Sequence, residues 1–133
     1  FLSDKKYLTQ FGFVTCDTAP PYFELLVKKN DPNADDPCFT KTAKENKCEN
    51  NNGLTVYYSN QCPFTEYYVN DELEAIAQEY NLPLQKIKLD NQEKALNCPS
   101  AFTYYALFQK GKFLTHEIQT LGRFKKIWDK LEK

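Results

Sequence analysis

Cys62 is the residue whose setting most suggests chemistry. It follows a β-prone run, Leu54 to Ser59, and precedes a stretch that reads as a helix to about Tyr80, with Pro63 at the first helical position. A thiol at a helix N-terminus faces unpaired backbone N–H groups and the positive end of the helix dipole, and both favour thiolate. The tetrad is Cys62-Pro63-Phe64-Thr65, so no second cysteine stands where a dithiol motif has one. That excludes two-cysteine redox chemistry in this loop. A monothiol mechanism or a Cys62–Thr65 site stays open, beside the plain alternative of a buried or capping cysteine that does nothing. Two further features could join Cys62. One is Cys98-Pro99, just ahead of another β-prone run. The other is His116, the single histidine, in Leu114-Thr115-His116-Glu117. The candidate site is therefore Cys62 as catalytic thiol, with Thr65, Cys98, Pro99 and His116 as a pocket around it.

Several function classes fall away on composition. With 17 basic and 18 acidic residues the chain carries no strong field for nucleic acid or an anionic membrane. No apolar run approaches the ~18 residues of a spanning helix, and no apolar region follows the first charged residues as in a signal peptide. The glycines, Gly12, Gly53, Gly111 and Gly122, are isolated, so there is no phosphate-binding loop. The cysteines, Cys16, Cys38, Cys48, Cys62 and Cys98, are odd in number and irregular in spacing. Reduced thiols in a cytoplasmic protein fit that pattern better than a disulfide framework, and no pair has the close spacing of a zinc site, so no metal is expected. The chain has no methionine at all, which reads as a piece of a longer protein.

The elements that must position Cys62 are regular after residue 53. Leu54 to Ser59 is a strand. Val69, Leu73, Ile76, Ala77 and Tyr80 form the apolar stripe of the following helix. Leu84 to Leu89 alternates as a strand, and a short helix fits within Asp90 to Asn97. Phe102 to Phe108 and Lys112 to Glu117 form a hairpin across Lys110-Gly111, which places His116 in the second hairpin strand. Leu121, Phe124, Ile127, Trp128 and Leu131 mark a closing amphipathic helix. The order β-α-β-α-β-β-α is the minimal thioredoxin-like α/β arrangement. In such folds a cis-proline precedes the hairpin and faces the thiol loop, a role open to Pro99, which could equally be a loop proline. Ahead of this lie a helix over residues 3–12, with Ser3 as N-cap, and strands at Phe13 to Cys16 and Tyr22 to Lys28. One helix and two strands cannot bury both faces, so this segment needs a partner, and Leu25, Leu26 and Val27 are where a shortage should show. Residues 30 to 52 are rich in turn formers and read as a linker in which Cys38 and Cys48 are exposed or half-buried.

A family resemblance rests on long motifs. Gly53-Leu54-Thr55-Val56-Tyr57-Tyr58-Ser59-Asn60-Gln61-Cys62-Pro63-Phe64-Thr65-Glu66-Tyr67-Tyr68, with Leu107-Phe108-Gln109-Lys110-Gly111-Lys112-Phe113-Leu114-Thr115-His116-Glu117, resembles the YoaP-like domain. In that family the domain is a C-terminal appendage of GNAT-type N-acetyltransferases. Lys5-Lys6-Tyr7-Leu8-Thr9-Gln10-Phe11-Gly12-Phe13 and Asp17-Thr18-Ala19-Pro20-Pro21-Tyr22-Phe23-Glu24-Leu25-Leu26-Val27 resemble the last helix and strands of the GNAT fold. The resemblance implies three parts: 1–30 from the acetyltransferase domain, 31–52 as linker, and 53–133 as the YoaP-like domain. It implies a parent that moves acetyl from acetyl-CoA to a small-molecule or protein amine, with this region serving substrate or partner recognition. The monothiol redox domain is the alternative. The remainder of the acetyltransferase domain is the implied partner. The family's pyrophosphate loop is absent, so no cofactor and no activity are expected of this chain alone. The tyrosine that protonates the leaving thiolate in many GNAT enzymes stands four residues before the helix-ending glycine. Leu8 is there, with Tyr7 one position off, so that role does not carry over. Ala101 follows Ser100 where relatives often have proline.

Overall fold

Two β-rich runs sit at the centre because each is apolar on both faces. The structure, a computed structural model, describes residues 4–132. Strands β3 (Leu54–Tyr58) and β5 (Tyr105–Gln109) pair antiparallel in the middle of a four-stranded sheet. β4 (Leu84–Lys88) flanks β3 in parallel and β6 (Lys112–Thr115) flanks β5 antiparallel, giving the order β4-β3-β5-β6. Leu54, Val56, Tyr58, Tyr105 and Leu107 point to one face, where they pack with Val69, Leu73, Ile76 and Phe124 from the helices. Ala106 and Phe108 point to the other, where Cys48, Tyr57 and Phe113 join them. The mixed sheet with its helices is thus an α/β unit.

The helical run after β3 has three parts: α3 (Thr65–Tyr67), a π-helical turn (Tyr68–Glu72) and α4 (Leu73–Glu79). It starts two residues later than the proline suggested. Pro63 lies in a turn closed by Thr65 N–H donating to the Cys62 carbonyl at 3.2 Å. Helix α5 (Gln92–Leu96) is capped by Asn91, whose side chain accepts from Lys94 N–H. Helix α6 (Leu121–Leu131) lays Phe124 into the core, and Tyr80 and Trp128 pack their rings on it at 5.1 and 5.6 Å. Gly53, at φ +67°, leads into β3 where a side chain would press on the Pro83 carbonyl oxygen.

Several boundaries move. The front helix α1 spans Lys6–Thr9 alone, and Ser3 lies outside the described residues. Strands β1 (Val14–Ala19) and β2 (Phe23–Val27) form a separate two-stranded sheet, with Leu25, Leu26 and Val27 half-buried. Residues 30–52 are not structureless. Thr40 caps a short helix, α2 (Lys41–Glu45), and Asp17 holds it to β1 by accepting from Lys44 Nζ at 2.8 Å and from Phe39 N–H. Lys47 bridges to Lys112, and Cys48 is buried beneath the sheet rather than exposed or half-buried, while Cys38 is exposed. β5 begins at Tyr105, three residues later than Phe102, and β6 ends at Thr115, so His116 stands just beyond the strand. Among the described residues the cis peptide bond is Pro20–Pro21, and Pro99 is a loop proline. Among the described residues no helix is long and apolar enough to cross a membrane.

Burial separates what α6 contributes from what it merely displays. Phe124→Ala should cost about 3–5 kcal/mol in urea unfolding, as for an aromatic removed from a packed interior. Leu131→Ala, half-exposed at the helix end, should stay within about 1 kcal/mol. Equal losses would contradict this placement of the core.

Candidate functional site

Three strand ends meet at one edge of the sheet. β3 runs out at Tyr58, β5 enters at Tyr105 opposite it, and β6 runs out at Thr115 opposite Leu107. The loops that follow or precede these ends are held to one another. Ser59 N–H donates to the Tyr104 carbonyl at 3.2 Å, and Gln61 Nε2 donates to Thr103 Oγ1 at 3.3 Å. Glu117 N–H donates to Thr115 Oγ1, and Gln119 Nε2 donates to the Glu117 carbonyl at 2.7 Å.

Between them lies a cavity of about 340 Å³ lined by Cys62, Thr65, Phe102, Tyr104, Tyr105, His116, Glu117, Ile118 and Arg123. Cys62, Thr65 and His116 therefore line one cavity. Cys98 and Pro99 do not line it. Cys98 is fully buried and lies near Tyr57, on the opposite face of the sheet. Pro99 lines a groove with Cys48, Asn97 and Tyr57. Burial pushes the Cys98 thiol up to about 11, so it stays protonated at neutral pH. The five cysteines are free thiols, and none but Cys62 lines the cavity. Among the described residues no group of three or more His, Cys, Asp or Glu side chains is placed to hold a metal ion.

Behind the lining lie buried polar groups without partners. Thr65 is fully buried and its Oγ1 has no hydrogen-bond partner. Tyr105 is 1% exposed, with the Gln119 backbone N–H beside its hydroxyl but no well-formed hydrogen bond, and burial drives its pKa up. Buried oxygens without partners are uncommon because each forfeits its hydration. Ser59 Oγ and Gln119 Oε1, from the same loops, are also unpartnered.

His116 carries the other side of the wall. Its Nδ1 lies 2.5 Å from the Tyr22 hydroxyl, and its ring packs edge-on against Tyr22, Phe23 and Phe102. Phe23 stacks on Phe102 at 6.0 Å. The β1–β2 hairpin thus docks on the strand ends through His116. A second cleft, about 540 Å³, opens between them and shares Phe102, Tyr104, His116 and Glu117 with the first. Desolvation raises the Tyr22 phenol and lowers His116, with the Glu117 carboxylate opposing the latter shift. The imidazole tautomer sets which of the two groups donates in this hydrogen bond. The aromatic docking surface was invisible in the sequence, because Tyr22 and Phe23 lie 94 and 79 or more residues from their partners. The consecutive tyrosines were the available signal: Tyr104 faces out and Tyr105 faces in.

The depressed His116 pKa sets a pH dependence. The unfolded chain binds a proton at His116 near pH 6.5, where the folded chain still resists it. The contribution to stability is full above that pH and is lost as pH falls through the lower folded value. Unfolding free energies from pH 7.5 to 5 should fall more steeply for the wild type than for His116→Gln. Parallel profiles would contradict the burial of a neutral imidazole here.

Residues 83–126 match the YoaP-like family. Over 131 residues, 98% of the chain, it is 35% identical to the protein named uncharacterized N-acetyltransferase YoaP of Bacillus subtilis (strain 168). The chain spans about half of that relative, 51% of its length. No solved structure matches the chain. The chain is thus related to a protein named as an N-acetyltransferase, and the family match covers α5, the central hairpin and the cavity residues from Phe102 to Arg123.

Proposed function

We propose that the chain is the C-terminal region of a GNAT-type N-acetyltransferase whose residues 53–133 form a thioredoxin-like recognition module. The observation that carries this is the 35% identity across 98% of the chain to a protein named as an N-acetyltransferase and about twice as long. The parallel β3–β4 pair, the antiparallel β5 and β6 and the helices between them support the thioredoxin-like reading. In this account the parent uses acetyl-CoA and transfers acetyl to an amine, and residues 1–30 complete its catalytic domain. Tyr7, Phe11 and Val14, each more than half exposed, are where the rest of that domain would cover the front segment.

The module's part is to hold the acceptor or a partner at the Cys62–His116 cavity. That role suits a pocket with aromatic walls and charged residues at its rim. The monothiol redox reading gains no support: neither the matched family nor the Bacillus subtilis relative is named as an oxidoreductase.

Two measurements test the division of labour. Acetyl-CoA titrated into the 133-residue chain should show no saturable binding, and micromolar affinity would place a cofactor site here instead. In the full-length parent, Cys62→Trp fills the cavity from its rim. It should raise KM for the amine several-fold and leave kcat within about twofold, as for loss of uniform binding. An unchanged KM, with the variant folded, would remove the cavity from recognition.

A further inference from the structure

Two of the free thiols come together at the front hairpin, away from the cavity. In the β1–β2 register Thr15 faces Leu26 and Asp17 faces Leu25, so Cys16 is the bulged residue between them. A bulge re-aims the side chain it carries. The Cys16 sulfur lies 3.4 Å from the Leu25 carbonyl oxygen and 3.4 Å from the Pro37 carbonyl oxygen, and its single proton serves one of them at a time. Pro37 immediately precedes Cys38. A carbonyl oxygen and the next Cα are about 2.8 Å apart in a trans peptide, so the Cys16 sulfur is within about 6 Å of the Cys38 Cα. The other side of Cys38 is pinned to the same strand, where Phe39 N–H donates to Asp17 Oδ2 at 2.8 Å. Asp17 also holds Lys44, and Lys29, just after β2, holds Asp36 at 2.9 Å. The segment that carries Cys38 is therefore tied to the hairpin on both flanks. Cys38 is exposed and Cys16 half-buried, whereas Cys48 and Cys98 are buried.

We infer that Cys16 and Cys38 are a reversible thiol–disulfide pair, closed by a hydroperoxide. In a closed disulfide a sulfur stands about 4 Å from its partner's Cα, so the approach still required is about 2 Å at most. Side-chain rotation supplies it, helped by residues 35–40, which have no regular secondary structure. The steps balance between two thiols and one oxidant. The exposed Cys38 thiolate attacks a peroxide oxygen. An S–O bond forms and the O–O bond breaks, leaving Cys38 as sulfenic acid, and the departing hydroxide takes the proton the thiol had released. The Cys16 sulfur then attacks the Cys38 sulfur. The S–S bond forms, the S–O bond breaks, and hydroxide leaves as water with the Cys16 proton. The two thiols give up two electrons, and hydrogen peroxide is reduced to two waters. The bond clamps the Cys38–Phe39 step onto β1. Phe39 lines the cleft between the hairpin and the strand ends, so oxidation fixes one wall of that cleft. The pair stands apart from the Cys62–His116 cavity and does not depend on how that cavity is used.

The test is peptide mapping of the 133-residue chain after a small molar excess of hydrogen peroxide under native conditions. Remaining thiols are capped with N-ethylmaleimide and the chain is digested with trypsin. Cys16 and Cys38 fall in separate fragments, residues 7–28 and 30–41. The expected product is these two fragments linked, from a chain that runs as a monomer on a non-reducing gel, and reduction should release both. Cys48 is nearer to Cys38 along the chain than Cys16 is, so pairing by sequence proximity alone favours Cys38–Cys48. The native fold should favour Cys16–Cys38 by about tenfold or more, and guanidinium should abolish that preference. In the oxidised chain the Phe39 amide should exchange with deuterium about tenfold more slowly, and reduction should restore its rate. Absence of the linked fragments overturns the pair, whether Cys38 stays reduced, stops at the sulfinic acid or bonds another cysteine. An unchanged Phe39 exchange rate with the link in place overturns the clamp on the cleft.

Discussion

The double burial of the β3–β5 pair is the constraint on which the rest depends. Leu54, Val56 and Leu107 are wholly inaccessible on one face, Ala106 and Phe108 on the other. A strand apolar on both sides has no solvent-facing alternative, so its register is strongly fixed. Once Leu54–Tyr58 pairs with Gln109–Tyr105, the ends of the strands are fixed as well. The loops carrying Cys62, Tyr104 and His116 must then leave the sheet at the same edge. The cavity is a consequence of that geometry.

The same constraint explains what was legible in the sequence. The runs 54–59 and 84–89, the Lys110-Gly111 turn and the α6 stripe announced themselves by alternation, turn residues or helical spacing. Their boundaries did not. Phe102 is as β-prone as Leu107, yet pairing with β3 reaches no further than the Ser59 N–H to Tyr104 carbonyl bond, and the Phe102 ring is taken by Phe23 and His116. A residue can be strand-like in type and still have no strand to pair with. His116 leaves the ladder for a related reason. The β5–β6 register shifts at Leu107/Phe108, Leu114 turns to the helical face, and pairing stops at Thr115. Helix α2 escaped notice because it buries only Ala43 and is held by a threonine cap and by Asp17, none of which makes an apolar period.

Of the residues the sequence singled out, Cys62, Thr65 and His116 line the same cavity. The sequence could not see that Cys98 and Pro99 turn to the opposite face, since that depends on the path of the loop after α5. Nor could it see Tyr105, Glu117 and Arg123. Their place in the cavity depends on strand ends and on where α6 starts, and neither is written in a local motif. Tyr22 is further still, brought in by a hairpin from the front of the chain. That hairpin makes the two halves of the sequence share one aromatic wall, although composition between them suggested a linker.

The most direct measurement is therefore of the aromatic wall itself, by nuclear Overhauser contacts in the 133-residue chain. The account predicts cross-peaks from the Tyr22 ring to the His116 ring, and from the Phe23 ring to the Phe102 ring, alongside the β3–β5 contacts of the sheet. A chain that shows the β3–β5 contacts in full, with none from Tyr22 or Phe23 to His116 and Phe102, would contradict it: the hairpin would then be no part of the wall.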